Sequence, residues 1–202
     1  MTGDGSGQHF TVLVVCIGNV CRSPAVEHLL RSALNGDGTV AVHSAGTRAQ
    51  VDRPIQPPME RLLERHGHTV DGFAARAVTA TMLAHADLVL AATRELRGDV
   101  ADILPSVVRR LFTVREFARL ASSVKGSDLE AAAGPDAHLA ARLDALIPLA
   151  AARRAEVPVE LDDIVDPFLQ SDEVYQRSYQ QAAQAVRQIS MVTSPDRGHV
   201  LV

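Results

Sequence analysis

One stretch near the N-terminus, residues 10–24, decides the fold, and it reads FTVLVVCIGNVCRSP. Its first six residues, Phe10 to Val15, form a nearly continuous apolar run, as expected for a β-strand that is buried on both faces. Pro24 suits the first turn of a helix, which we predict to run as far as Leu34. A strand, a short loop and a helix are therefore predicted in succession, and an open α/β sheet binds its ligand at such a loop.

Short β-branched runs alternate with helical patterns along the rest of the chain. Further strands are predicted at residues 39–43, 86–91 and 110–114, and further helices at residues 58–66, 94–103 and 172–191. This alternation indicates βαβ units and a parallel sheet that is covered by helices on both faces. The predicted fold class is therefore α/β, with three layers and a four-stranded parallel sheet.

The length of 202 residues indicates a single domain, which we place at residues 9–192. Residues 1–8 and 193–202 are predicted to be flexible tails. An alanine-rich stretch at about residues 130–156 is predicted to be a helical insertion that is broken at Pro148. Packing of this insertion on the sheet is the favoured interpretation, and a contribution to the ligand site is the alternative.

The composition excludes several classes of protein. Hydrophobic residues make up 47% of the chain and the formal net charge is -4, which argues against disorder and against a basic surface for nucleic acid. Two cysteines are too few for a disulfide scaffold or a four-cysteine zinc site, and the eight histidines show no metal-ligand spacing. We find no secretory signal and no run long enough to insert into a membrane, so we expect a cytoplasmic protein with reduced thiols.

The loop between the predicted strand and helix contains the pattern Cys-x5-Arg, from Cys16 to Arg22. The N-terminus of a helix presents unpaired N–H groups and the positive end of the helix dipole, and both favour a bound anion. Gly18 allows successive N–H groups to turn inward, and Arg22 can clamp two phosphate oxygens. The same groups favour the thiolate of Cys16, which beneath a bound phosphate is a nucleophile aimed at phosphorus. A buried cysteine beside an ordinary turn is the alternative interpretation.

These residues closely resemble the low-molecular-weight protein-tyrosine phosphatase family. The resemblance extends in the family's order through the sequences SAGT at residues 44–47, DLVL at residues 87–90 and DPF at residues 166–168. It implies a flavodoxin-like fold with the strand order 2-1-3-4. It also implies that no metal and no organic cofactor takes part.

The resemblance implies a role for each residue that carries chemistry. Cys16 would attack phosphorus and form a phosphocysteine, and Arg22 would bind the phosphate and stabilise the transition state. Asp166 would protonate the leaving oxygen and then activate the water that hydrolyses the intermediate, as two-step phosphoryl transfer requires. Asp162 and Asp163 are weaker candidates for this acid.

The phosphate-binding loop that the resemblance implies consists of Ile17, Gly18, Asn19, Val20, Cys21, Arg22 and Ser23. Within it, Ser23 would donate a hydrogen bond to the sulfur of Cys16. Asn19 would brace the loop, with Ser44 as its expected partner.

The substrate slot is expected to differ from that of many relatives, which carry aromatic residues where this chain has none. Its expected lining residues are Val20, Gln50 and Phe168. Cys21 is expected to be a redox partner, because a disulfide with Cys16 would protect the nucleophile from irreversible oxidation. A small apolar filler is the alternative role for Cys21.

The implied function is hydrolysis of phosphotyrosine in a bacterial protein or peptide, with phosphate or another oxyanion bound in the loop. A protein-arginine phosphatase, an arsenate reductase and a non-catalytic phosphoprotein-binding module are the alternatives. Val20 favours the phenyl ring of phosphotyrosine over the guanidinium of phosphoarginine, because a buried cation needs a partner that valine cannot supply.

Overall fold

The computed structural model describes residues 9–34, 36–154 and 159–194, and it contains one four-stranded parallel sheet. The strands are β1 (Phe10–Cys16), β2 (Val40–Gly46), β3 (Leu88–Ala91) and β4 (Leu111–Thr113). Their spatial order is β2-β1-β3-β4. The predicted α/β class and the predicted strand order are therefore confirmed.

The helices that follow these strands form the two outer layers. They are α1 (Arg22–Ala33), α2 (Pro57–Arg65), α3 (Ala80–His85), α4 (Arg94–Ile103), α5 (Val114–Ser122), α6 (Gly126–Ala133), α7 (Leu139–Ala151), α8 (Val159–Asp162) and α9 (Asp172–Thr193). A 3-10 helix at Pro105–Arg110 precedes β4. None of the helices in the described residues is both long and apolar enough to cross a membrane.

Alternate residues of the strands enter different cores, because successive side chains of a strand point to opposite faces. Val12 and Val14 of β1 belong to the larger core, which contains apolar residues of α1, α2, α5, α7 and α9. Leu13 and Val15 belong to a smaller core with α3, α4 and the 3-10 helix. Burial on both faces explains the continuous apolar run of β1 and produces the predicted three layers.

The β2 strand extends beyond its predicted C-terminal end, to Gly46. The predicted strand ends at residue 43, but residues 44–46 continue the pairing with β1, so that Ser44 lies opposite Val14 and Gly46 opposite Cys16. Conversely, β4 is shorter than predicted, because Thr113 caps α5 through a capping box with Glu116.

Two predicted features at the C-terminal half differ from the structure. Pro148 lies inside α7 without ending it, and the helix continues to Ala151. Thr193 was assigned to a flexible tail, but it is buried in the last turn of α9, where its carbonyl accepts a 2.8 Å hydrogen bond from Nε of Arg142. The predicted tail residues 1–8 and 195–202, like residues 155–156 of the predicted insertion, lie outside the described residues.

Candidate active site

The loop between β1 and α1 is held in place by hydrogen bonds that its outward-pointing carbonyl groups accept. Four of its carbonyls accept hydrogen bonds of 2.8–3.0 Å from backbone N–H groups of the segment after β2: Cys16 from Thr47, Ile17 from Arg48, Gly18 from Gln50 and Val20 from Gln56. The N–H and C=O of a peptide unit point in opposite directions, so outward carbonyls turn the intervening N–H groups toward the centre of the loop. This arrangement is an anion nest at the start of a helix.

Gly46 makes this close approach of β2 to the loop possible. A Cβ atom at this position would lie closer than 3.0 Å to the carbonyl oxygen of Ile17 and 3.0 Å from the backbone nitrogen of Asn19. Both are backbone atoms, which cannot rotate away as the end of a long side chain can. Only glycine therefore allows the loop to lie against the end of β2 as it does.

Asn19 braces the loop from the inside. Its φ angle of 55° lies in the left-handed region, which asparagine tolerates better than most residues. Its buried side-chain amide donates hydrogen bonds to Oγ of Ser23 at 2.9 Å and to Oγ of Ser44 at 2.8 Å. Its side-chain oxygen accepts a 2.9 Å bond from the backbone nitrogen of Arg76. The structure thus brings Asn19 and Ser44 together in the arrangement that the sequence predicts.

Two hydrogen-bond donors point at the sulfur of Cys16. Its sulfur accepts a 2.9 Å hydrogen bond from Oγ of Ser23 and a 3.2 Å bond from the backbone nitrogen of Asn19. Because Ser23 already accepts a hydrogen from the Asn19 amide, its own hydroxyl hydrogen is available for the sulfur. Two donors directed at one sulfur atom stabilise negative charge that develops on it.

Glu27 completes the chain of hydrogen bonds, and sequence reasoning did not identify it. This buried carboxylate of α1 accepts the hydroxyl hydrogen of Ser44 and pairs with Arg31 one turn later. Since Ser44 donates to Glu27, it is left to accept from Asn19, which sets the direction of every bond as far as Cys16. An acidic residue at the buried face of α1 was the signal in the sequence, but burial could be judged only from the fold.

Arg22 and Asp166 face each other across the mouth of the loop. Nη2 of Arg22 lies 2.7 Å from Oδ2 of Asp166, and their side chains are 5% and 43% exposed, respectively. The buried guanidinium is therefore fixed beside the nest, whereas the carboxylate remains accessible to solvent and to a leaving group. The structure brings together Cys16, Arg22 and Asp166, which lie up to 150 residues apart in the chain.

The segment before Asp166 is anchored at several points. The buried carboxylate of Asp162 pairs with Arg94 at 2.7 Å and with Arg119 at 3.0 Å. Asp163 accepts a 2.8 Å hydrogen bond from the first N–H of α4. Both carboxylates are thus engaged by residues of α4 and α5, whereas Asp166 faces Arg22 at the mouth of the loop.

A small cavity of about 100 Å³ opens above the sulfur of Cys16. Its described lining residues are Cys16, Ile17, Gly18, Val20, Cys21, Arg22, Arg48, Gln50, Asp166 and Phe168. The residues that were expected to line the slot, Val20, Gln50 and Phe168, are all among them. Arg48 was not expected there, and no described residue of the stretch 130–154 takes part.

Cys21 lies in a different environment from Cys16. Burial raises the pKa of its thiol to about 12, and its sulfur lies 3.8 Å from the hydroxyl of Tyr175 on α9. Both cysteines are free thiols in the structure. The packing of Cys21 in the larger core fits the role of an apolar filler, and its role as a redox partner stays a prediction.

Comparison with known proteins agrees with this geometry. The sequence model of the family described as low molecular weight phosphotyrosine protein phosphatase matches residues 11–130, which is more than half of the chain. The chain belongs to this family. The low molecular weight phosphatase Etp of Escherichia coli K12 is 41% identical over 97 residues, and the alignment covers 48% of this chain and 64% of that protein.

Solved structures with the same fold include phosphatases of two kinds. The family member AmsI, a tyrosine phosphatase of Erwinia amylovora, superposes with a TM-score of 0.65 and 23% identity over 92% of this chain and 94% of that one. The arginine phosphatase YwlE of Geobacillus stearothermophilus gives a TM-score of 0.62 and 20% identity over 90% and 91% of the two chains. The shared fold alone thus does not distinguish the two substrates.

Proposed function

We propose that this family member hydrolyses protein phosphotyrosine through a phosphocysteine intermediate on Cys16. The observation that carries the proposal is the arrangement above the nucleophile: an anion nest, a buried Arg22 and an accessible Asp166 surround a sulfur that accepts two hydrogen bonds. The chemistry needs a reduced thiol, and we accordingly place the enzyme in the cytoplasm of a bacterium.

In the first step, the sulfur of Cys16 attacks phosphorus, and the bond between phosphorus and the phenolic oxygen breaks. The N–H groups of the loop and the guanidinium of Arg22 stabilise the negative charge on the equatorial oxygens, as positioned donors do in phosphoryl transfer. Once the phosphate has replaced Asp166 as the partner of Arg22, the carboxyl group of Asp166 takes up a proton from solvent and transfers it to the leaving oxygen. The products are tyrosine and a phosphocysteine.

In the second step, a water molecule attacks phosphorus from the side that the tyrosine has left. Asp166, now a carboxylate, accepts a proton from this water, and the bond between sulfur and phosphorus breaks. Cys16 returns as a thiolate that Ser23 and the N–H of Asn19 stabilise. The same donors make Cys16 a better leaving group, so they serve both steps.

The test is hydrolysis of p-nitrophenyl phosphate and of a phosphotyrosyl peptide by the purified wild type and two variants. Cys16→Ser is expected to lose turnover and the labelled phosphoenzyme but to retain binding of inorganic phosphate, since the nest and Arg22 remain. Asp166→Asn is expected to lower kcat/KM on the peptide by about 10²- to 10⁴-fold, the usual contribution of a general acid.

The matched control for the acid is Asp128→Asn, which removes a carboxylate whose partner is Arg153, at 3.1 Å, outside the cavity. This control is expected to retain wild-type kinetics. Appreciable turnover by Cys16→Ser would exclude the covalent mechanism. Phosphate binding without any turnover by the wild type would instead support a non-catalytic binding module.

A further inference from the structure

One charged side chain that lines the cavity has no partner in the described residues. Besides the thiols of Cys16 and Cys21, three ionisable side chains line it, namely Arg22, Arg48 and Asp166. Arg22 and Asp166 pair with each other at 2.7 Å. The side chain of Arg48 forms no hydrogen bond or ion pair with any residue in the described parts of the chain, so its positive charge is left without a partner at the entrance.

The backbone of Arg48 is held tightly against the nucleophile loop. Its own N–H donates to the carbonyl of Ile17 at 3.0 Å, and the neighbouring N–H groups of Thr47 and Gln50 donate to Cys16 and Gly18 at 2.9 Å. The backbone of Arg48 therefore has a fixed position relative to the sulfur of Cys16, although its side chain is exposed. Asp52, four residues later on the same segment, forms no ion pair with Arg48.

We infer that Arg48 is a specificity-determining residue that selects phosphotyrosines with an acidic residue beside them in the polypeptide. This inference rests on the proposed function. When the phosphate occupies the nest, the peptide on either side of the phosphotyrosine crosses the cavity entrance. A carboxylate there gains a charge-assisted partner in Arg48, and a lysine or arginine is repelled.

The same charge also disfavours phosphoarginine. Its guanidinium adjoins the phosphoryl group and would enter the cavity that Arg48 lines, where Val20 offers no side-chain acceptor and the carboxylate of Asp166 pairs with Arg22 in the structure. A phenyl ring carries no charge and meets no such repulsion. The acidic selection and the preference for phosphotyrosine therefore have one cause in common.

The experiment compares kcat/KM on two phosphotyrosyl peptides that differ only in glutamate or lysine next to the phosphotyrosine. One solvent-exposed charge pair changes binding by up to about fivefold, and the exchange of glutamate for lysine replaces an attraction by a repulsion. The wild type is therefore expected to prefer the glutamate peptide by roughly three- to tenfold, and by less in high salt. Arg48→Gln is expected to bring the ratio close to one. Arg48→Glu is expected to reverse it.

The matched control is Arg53→Gln, because Arg53 is an exposed arginine of the same segment that does not line the cavity. It is expected to retain the wild-type ratio. Equal ratios for wild type and Arg48→Gln would overturn the role of Arg48, as would a loss of preference in Arg53→Gln alone. Hydrolysis of p-nitrophenyl phosphate is measured alongside, since its absence in the wild type would contradict the proposed function itself.

Discussion

Replacement of Gly46 by alanine would test whether the shape of the phosphate-binding loop depends on contact with the end of β2. The added Cβ atom would lie 3.0 Å from the backbone nitrogen of Asn19, which is 0.4 Å short of an ordinary contact at 3.4 Å, and closer still to the carbonyl oxygen of Ile17. Relaxation of β2 is restricted, because the N–H of Gly46 donates to Arg76 and its carbonyl accepts from Val78, both at 2.9 Å. We therefore expect the loop to move.

The size of the effect follows from this displacement. A misplacement of about 1 Å at a catalytic centre can cost roughly 10²-fold in rate, so a shift of about half that size is expected to lower kcat/KM by roughly tenfold or more. Overpacking of a well-packed region destabilises a protein by about 1–3 kcal/mol. For a chain of this size, that corresponds to a fall in Tm of about 2–12 °C.

The assay is steady-state hydrolysis of p-nitrophenyl phosphate together with thermal unfolding and phosphate titration. Gly98→Ala is the matched control, because Gly98 lies on the exposed side of α4 and a Cβ there meets nothing within 4 Å. This control is expected to keep wild-type kinetics and to gain about 1 kcal/mol of stability from the higher helix propensity of alanine. Wild-type kcat/KM and phosphate affinity in Gly46→Ala would refute the reasoning.

Three further predictions concern neighbouring residues. Asp162→Asn removes the charge that anchors the segment before Asp166, so kcat/KM should fall about tenfold on phenyl phosphate but little on 2,4-dinitrophenyl phosphate, whose leaving group needs no acid. Equal losses on the two substrates would indicate that Asp162 has only a structural role. Because burial raises the pKa of Cys21 to about 12, iodoacetamide at pH 8 should label Cys16 alone in the folded protein and both thiols in urea; rapid labelling of Cys21 in the folded state would contradict its burial. Val20→Thr should shift the kcat/KM ratio toward phosphoarginine on matched peptides, and a wild type that is faster on phosphoarginine would reverse the substrate assignment.

Much of the fold could be predicted from local patterns in the sequence. The apolar run of β1 reflects burial on both faces, and strand–helix alternation leaves few arrangements of a parallel sheet. Cys16, Arg22 and Ser23 could be recognised together because they lie close together in the sequence, between the end of β1 and the first turn of α1. The strand order and the role of Asp166 needed the family resemblance, since Asp166 is distant in sequence.

Other elements were predicted wrongly or not at all because tertiary contacts override local preference. Residues 44–46 resemble a turn, yet pairing with β1 extends the strand through them. Pro148 resembles a break, yet α7 packs against α5, α6 and α9 and continues past the proline to Ala151. The local signal was therefore correct about propensity and wrong about the outcome.

The sequence by itself determined where the proposed nucleophile and phosphate-binding loop lie, because the pattern that identifies them is contained within consecutive residues. Only the tertiary structure decided which distant groups surround that loop. The buried Glu27 sets the direction of the hydrogen bonds that lead to Cys16. Asp162 anchors the segment before Asp166, and Arg48 places a positive charge at the cavity entrance. These roles depend on distances across the folded chain and on burial, and neither quantity is a property of any short stretch of sequence.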